Sequence, residues 1–197
     1  MFNQAIRNKF ENDEEAITEW VLIPLIEAYR IIKEDIDANI GENKITEKII
    51  RNVKKNSSIS QYIDKHIINV KYRPKEILDA GDIKEPDITF FIPVVCEMHI
   101  EAKRIYKNGT VSDYCGKTGL GEFLSGNYSS NEDNGGMIAY IQEGQLSDIQ
   151  KEIIGKVNGC NCIELTENIG IDNSFLSIHE RNTNRDIRIY HLLFDFV

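Results

Sequence analysis

Asp87, Glu101 and Lys103 are the residues of this chain whose types and spacing suggest chemistry. Asp87 follows Pro86, thirteen residues intervene, and then comes Glu101-Ala102-Lys103, inside a stretch (Glu97–Ile105, EMHIEAKRI) that reads as a strand. Side chains two apart on a strand share a face. Glu101 and Lys103 therefore project together with Glu97 and His99, while Met98, Ile100 and Ala102 point the other way, into a core. A preceding strand opened by Pro86-Asp87 would bring Asp87 alongside Glu101. Two carboxylates so placed suit a hard divalent cation, Mg²⁺ or Mn²⁺, with the Ala102 carbonyl as a further oxygen ligand. Such a cation lowers the pKa of a water and offsets charge on a scissile phosphodiester. Lys103 beside it would orient the water and stabilise the charge that develops in the transition state. The plainer alternative makes Glu101 and Lys103 the solvated face of an edge strand, and Asp87 a turn residue behind a proline.

Helices and strands must be arranged around that cluster. Residues 13–33 (DEEAITEWVLIPLIEAYRIIK) read as a helix with acids at its start, interrupted or kinked by Pro24. Residues 44–55 give a second amphipathic helix with Ile45, Ile49, Ile50 and Val53 on one stripe, and a short helix is expected at 59–65. The period then changes. Strands are expected at Ile67–Tyr72, at Ile88–Val95 with Pro93 interrupting it, and at Glu97–Ile105, with a polar connection over 75–85 and a turn at Lys107-Asn108-Gly109. A short helix within Gly116–Asn127, a mobile loop over Ser129–Gly136, a buried strand at Met137–Gln142 and a helix at Leu146–Val157 come next. Phe175–Arg181 and Ile187–Val197 read as a final strand pair. The order predicts one α/β domain over 1–197, a central mixed sheet flanked by helices.

Other residues weigh less. His99 would flank the site, as a substrate contact or as a structural histidine. Lys117 lies near the start of the helix after the third strand, on the expected phosphate path, although a surface lysine is the plainer reading. His66, His179 and His191 show no ligand spacing, and the four cysteines form neither a C-x-x-C pair nor a disulfide framework. The glycines of GKTGLG (116–121) lack the P-loop pattern. The net charge of −9 argues against tight nucleic-acid binding by this chain alone. The basic residues are scattered in short groups: Arg51, Lys54 and Lys55; Lys71, Arg73 and Lys75; Lys103, Arg104 and Lys107. The opening residues lack a signal-peptide layout, and no apolar run approaches the roughly 18 residues of a membrane span. A cytoplasmic location is expected.

The PD…EAK pattern on adjacent strands resembles the PD-(D/E)xK, or restriction-endonuclease-like, nuclease superfamily. The resemblance implies a helix, three strands, a helix and a fourth strand over about 13–142, with the C-terminal strands as additions. It implies that Asp87 and Glu101 are metal ligands, Lys103 the catalytic lysine, and an acid of the first helix a further site residue. Glu14, Glu15 and Glu19 are the candidates, and Glu15 is chosen. Gly119, Phe123, Gly126, Tyr128 and Gly136-Met137-Ile138 also look like restriction-endonuclease-like proteins of bacterial defence loci. The resemblance leads one to expect a Mg²⁺-dependent DNase of a restriction or phage-defence system, acting as a homo-oligomer or with a partner protein. The alternative is a catalytically silent subunit of the same fold that binds a partner or an anionic ligand.

Overall fold

Asn12 starts the first helix: its backbone is extended and its side chain accepts the Glu15 N–H, capping Asp13–Ile17. The next turn, Thr18–Leu22, is π-helical, and Ile23–Ile32 is α-helical again; the three pieces form α1. Pro24 supplies the reason, since it has no N–H for the ladder and its ring crowds the preceding turn, which widens to accept it. The interruption expected at Pro24 thus takes the form of a π turn. Helix α2 (Glu42–Asn56) buries Ile45, Ile49, Ile50 and Val53 as one stripe, and begins two residues before the expected start at 44. A short helix α3 (Ser60–Asp64) follows. These elements belong to a computed structural model that describes residues 9–37, 39–77, 83–93, 95–106, 110–181 and 185–197.

The strands are β1 (Asn69–Tyr72), β2 (Glu76–Ile77), β3 (Ile83–Lys84), β4 (Ile88–Ile92), β5 (Cys96–Ile105), β6 (Asn134–Ile141), β7 (Cys162–Thr166), β8 (Ser174–Glu180) and β9 (Asp186–Asp195). Seven form one mixed sheet in the order β1-β4-β5-β6-β9-β8-β7. The β5–β6 and β6–β9 pairs are parallel and the rest antiparallel. Helices α1 and α2 cover one face, against Phe90, Met98, Ile100, Ala102 and Ile138. Helices α4 (Thr110–Cys115), α5 (Leu120–Leu124) and α6 (Leu146–Asn158) lie on the other, over Met137, Ala139, Ile189 and Leu193. Among the described residues no helix is long and apolar enough to cross a membrane.

Several expectations need correction. The C-terminal strands are not an addition beyond residue 142: β9 runs beside β6 from Asn134↔Arg188 to Ile141↔Asp195, in the middle of the sheet. Gly135 and Gly136 belong to β6 rather than to a loop. A Cβ on Gly135 would lie 2.7 Å from the Phe123 ring, and one on Gly136 2.9 Å from Ile100 Cγ1. Glycine here allows close packing on both faces, not a turn. The polar connection over 75–85 includes the antiparallel pair β2–β3. Helix α4 and the edge strand β7 carry no clear periodic signal in the sequence, and both are present. The GKTGLG glycines make a tight turn, since a Cβ on Gly119 would collide with the Tyr114 carbonyl oxygen. The turn expected at Lys107-Asn108-Gly109 lies outside the described residues.

Candidate active site

Strand β4 is shorter than β5, and their pairing ends at Ile88↔Ile100. Beyond that point β5 presents backbone groups at an open edge, and two carboxylates fill it. Asp87 Oδ2 accepts the Ala102 N–H at 3.0 Å, and Glu42 Oε2 accepts the Arg104 N–H at 2.7 Å. The N–H and C=O of one strand residue leave on the same side, so the Ala102 carbonyl shares this edge. Glu42 lies in the first turn of α2, which Ile45 and Ile49 anchor in the core while Thr46 Oγ1 and the Tyr140 hydroxyl hydrogen-bond at 3.0 Å.

Glu101 and Lys103 project from one face of β5, with Lys103 Nζ 2.6 Å from Glu101 Oε1. Asp87 and Glu101 are each only 6 % exposed. Burial inside a seven-stranded sheet rules out the solvated edge-strand alternative. Glu101 Oε2 is buried and has no hydrogen-bond partner among the described residues. Burial pushes the Glu101 carboxyl up to about 7, the Asp87 charge adds to the rise, and Lys103 opposes it. Asp87 and Glu42 are also held above the ordinary carboxylate range, chiefly by burial, against the pull of the Ala102 and Arg104 N–H groups respectively. For Lys103, burial favours loss of the proton, but the charges of Glu101, Glu42 and Asp87 outweigh it and keep the ammonium. The site is therefore a crowd of acids around the Lys103 ammonium, with Arg73 near Asp87.

Of the other residues singled out in the sequence, Ala102 supplies backbone to the site. His99 is on the Glu101 face, buried, with Nδ1 3.0 Å from Thr89 Oγ1, and burial lowers its pKa to about 4. Lys117 stands exposed in the turn between α4 and α5. Glu15 is not brought to the cluster: it is exposed, and its Oε2 accepts the Glu11 N–H at the start of α1. The helical acid of the site is Glu42, on the second helix. Two more neighbours are not among the site residues expected from the sequence. Arg73, in the left-handed region at φ 44°, donates its N–H to the Asp87 carbonyl and pairs with Glu85 at 3.0 Å. Tyr128, buried, reaches the Glu101 carboxylate with its hydroxyl; burial, the charges of Glu101 and Glu122, and that contact raise its pKa.

No family, curated protein or solved structure matches this chain. Fitness for a metal must therefore be judged from the donors themselves. Among the described residues, no three or more His, Cys, Asp or Glu side chains are arranged to hold an ion. The donors that fit are Asp87, Glu101 with its unpartnered oxygen, and the Ala102 carbonyl. Two carboxylates and a carbonyl make an all-oxygen set of the kind suited to Mg²⁺.

His179 and His191 are not metal ligands but members of a hydrogen-bonded chain. The Tyr114 hydroxyl meets His191 Nδ1 at 2.8 Å, and Ser177 Oγ is 2.7 Å from both His191 Nε2 and His179 Nε2. His179 Nδ1 ends the chain on the Cys160 carbonyl at 2.7 Å. Tyr114, Ser177, His179 and His191 are fully buried. Burial pushes both imidazoles down, so both are neutral.

Proposed function

We propose that this chain is a metal-dependent phosphodiester hydrolase with a restriction-endonuclease-like core, acting on DNA. The observation that carries the reading is the pair of buried carboxylates, Asp87 and Glu101, with an unpartnered oxygen and the Lys103 ammonium beside them. Asp87, Glu101 and the Ala102 carbonyl would hold Mg²⁺ or Mn²⁺. A divalent ion there supplies charge to offset the phosphate and to acidify the attacking water. Lys103 binds a non-bridging phosphate oxygen and stabilises its charge. Glu42 and Asp87 fix the open edge of β5 by their hydrogen bonds to Arg104 and Ala102, keeping Glu101 and Lys103 in place. Arg73 adds local positive charge near Asp87 in an otherwise acidic chain.

The net charge of −9 supports a second component, either another copy of the chain or a partner protein in a cytoplasmic restriction or phage-defence assembly, that strengthens the grip on DNA. The silent-subunit reading draws on one observation: Lys103 Nζ already occupies Glu101 Oε1 at 2.6 Å. Cleavage of plasmid and single-stranded DNA with Mg²⁺ or Mn²⁺ separates the two. Hydrolysis by the wild type, lost in both Asp87→Ala and Lys103→Ala, is the expected result. Absence of cleavage, together with metal binding that Asp87→Ala does not alter, favours the silent subunit.

A further inference from the structure

The face of β5 that carries Glu101 continues into a cleft of about 180 Å³, walled by Glu97 and His99 on the strand and by Asn127, Ser129, Asn131 and Glu132 opposite. His99 lies two residues before Glu101, roughly 7 Å along the strand. The far wall is rigidly built. Arg181, 2 % exposed, donates from Nη1 to the Ser129 carbonyl at 2.6 Å, from Nη2 to the Glu132 carbonyl at 2.9 Å, and from Nε to the Arg185 carbonyl at 3.1 Å. A buried guanidinium that donates to backbone carbonyls fixes the loop and leaves its side chains to face the cleft. Ser129 takes a left-handed backbone, φ 55°, and is 3 % exposed. Its Oγ has no hydrogen-bond partner among the described residues. An orphaned buried hydroxyl in a residue that lines a cleft is a polar atom the fold leaves unsatisfied beside it.

The lining chooses the ligand class. Among the described residues, no lysine or arginine lines the cleft and two carboxylates do, so a phosphate is repelled. The Asn127 and Asn131 amides offer donors and acceptors to a neutral planar group; the Glu132 carboxylate already takes the Glu97 N–H, which leaves the Glu97 carboxylate to accept from an exocyclic amine. We propose that the cleft beside Glu101 takes a nucleobase bearing an exocyclic amino group, from a nucleotide flanking the phosphate held at Asp87, Glu101 and Lys103. The proposal rests on the hydrolase reading of that neighbouring cluster and adds to it a basis for sequence preference.

The test uses labelled single-stranded oligodeoxycytidine and oligothymidine, whose bases do and do not carry an amino group. Fluorescence anisotropy is measured in Ca²⁺, and cleavage of the same strands in Mg²⁺. The expected result is about tenfold tighter binding of oligodeoxycytidine, with the ratio falling close to one in a Glu97→Gln, Asn131→Ala variant. Asn131 is exposed and the Glu97 side chain is 42 % exposed, so the variant should melt as the wild type does. Equal affinities in the wild type, discrimination that survives the substitutions, or binding of neither strand overturns the proposal. Cleavage without base preference removes the cleft's role and leaves the hydrolase. Base-selective binding without cleavage removes the hydrolase and leaves the cleft.

Discussion

Glu101 on β5 and His191 on β9 lie in one row of the sheet, with Met137 of β6 between them, and both are buried on the same face. Their surroundings differ in kind. Around His191 each ring nitrogen and each hydroxyl of the chain from Tyr114 to the Cys160 carbonyl has a partner, and every member of the chain is neutral. The ring also stacks on Phe175, with centroids 4.1 Å apart. Around Glu101 three acids share one lysine, and an oxygen is left over. A buried polar group with every bond made serves the fold. One left crowded by like charges and incomplete costs stability, and such groups gather at functional sites.

That contrast can be broken by substitution at its two ends. His191→Ala removes the Phe175 stack, strands the Tyr114 hydroxyl and leaves Ser177 only its bond to His179; the expected loss is about 3–5 kcal/mol in denaturant unfolding. A loss below about 1 kcal/mol would mean that the chain does not hold the core. Glu101→Gln should do the reverse, lowering cleavage about 10²- to 10³-fold while the metal-free protein becomes more stable at alkaline pH. The Glu101 carboxyl is raised to about 7 in the folded protein, so its contribution is full below the unfolded value near 4.5 and is lost as pH rises through 7. The upper limit of the gain from Glu101→Gln at pH 8 is about 3 kcal/mol.

The buried histidines answer to pH in the opposite sense from Glu101. His99, at about 4, and the lowered His179 and His191 stay neutral in the fold while the unfolded chain protonates near 6.5. Their contribution is therefore whole above pH 6.5 and falls as the medium is acidified towards 4. Mg²⁺ should raise the melting temperature at pH 8, where Glu101 is ionised, and leave it unchanged at pH 5. An equal rise at both values would place the ion elsewhere. The smallest effects separate two acids: Glu42→Gln should slow cleavage about tenfold by freeing the β5 edge. Glu15→Ala should leave cleavage intact and shift stability by less than about 0.5 kcal/mol.

The difference between those acids also shows what the sequence carries. Asp87, Glu101 and Lys103 are legible together because a period of two on β5 and a proline before β4 fix their directions locally. Glu42 is not. It lies one turn ahead of the apolar stripe that marks α2, and an acid at a helix start has an ordinary explanation in the helix dipole. Its partner, the Arg104 N–H, is open to it only because β4 begins at Ile88, a fact of tertiary pairing. The histidine chain gathers residues from α4, β8 and β9, and no spacing within any one segment hints at it. Gly135-Gly136 misleads for the opposite reason: a local turn signal is overridden by Phe123 and Ile100 pressing on β6.

The position of β9 has a consequence in time. It is synthesised after every other strand of the sheet, yet it pairs with β6, whose residues are buried throughout. Until it emerges, β6 has one edge unpaired and an apolar strand open to other chains. Parallel pairing across so long an interval is slow, so nascent molecules are most prone to aggregate in that window.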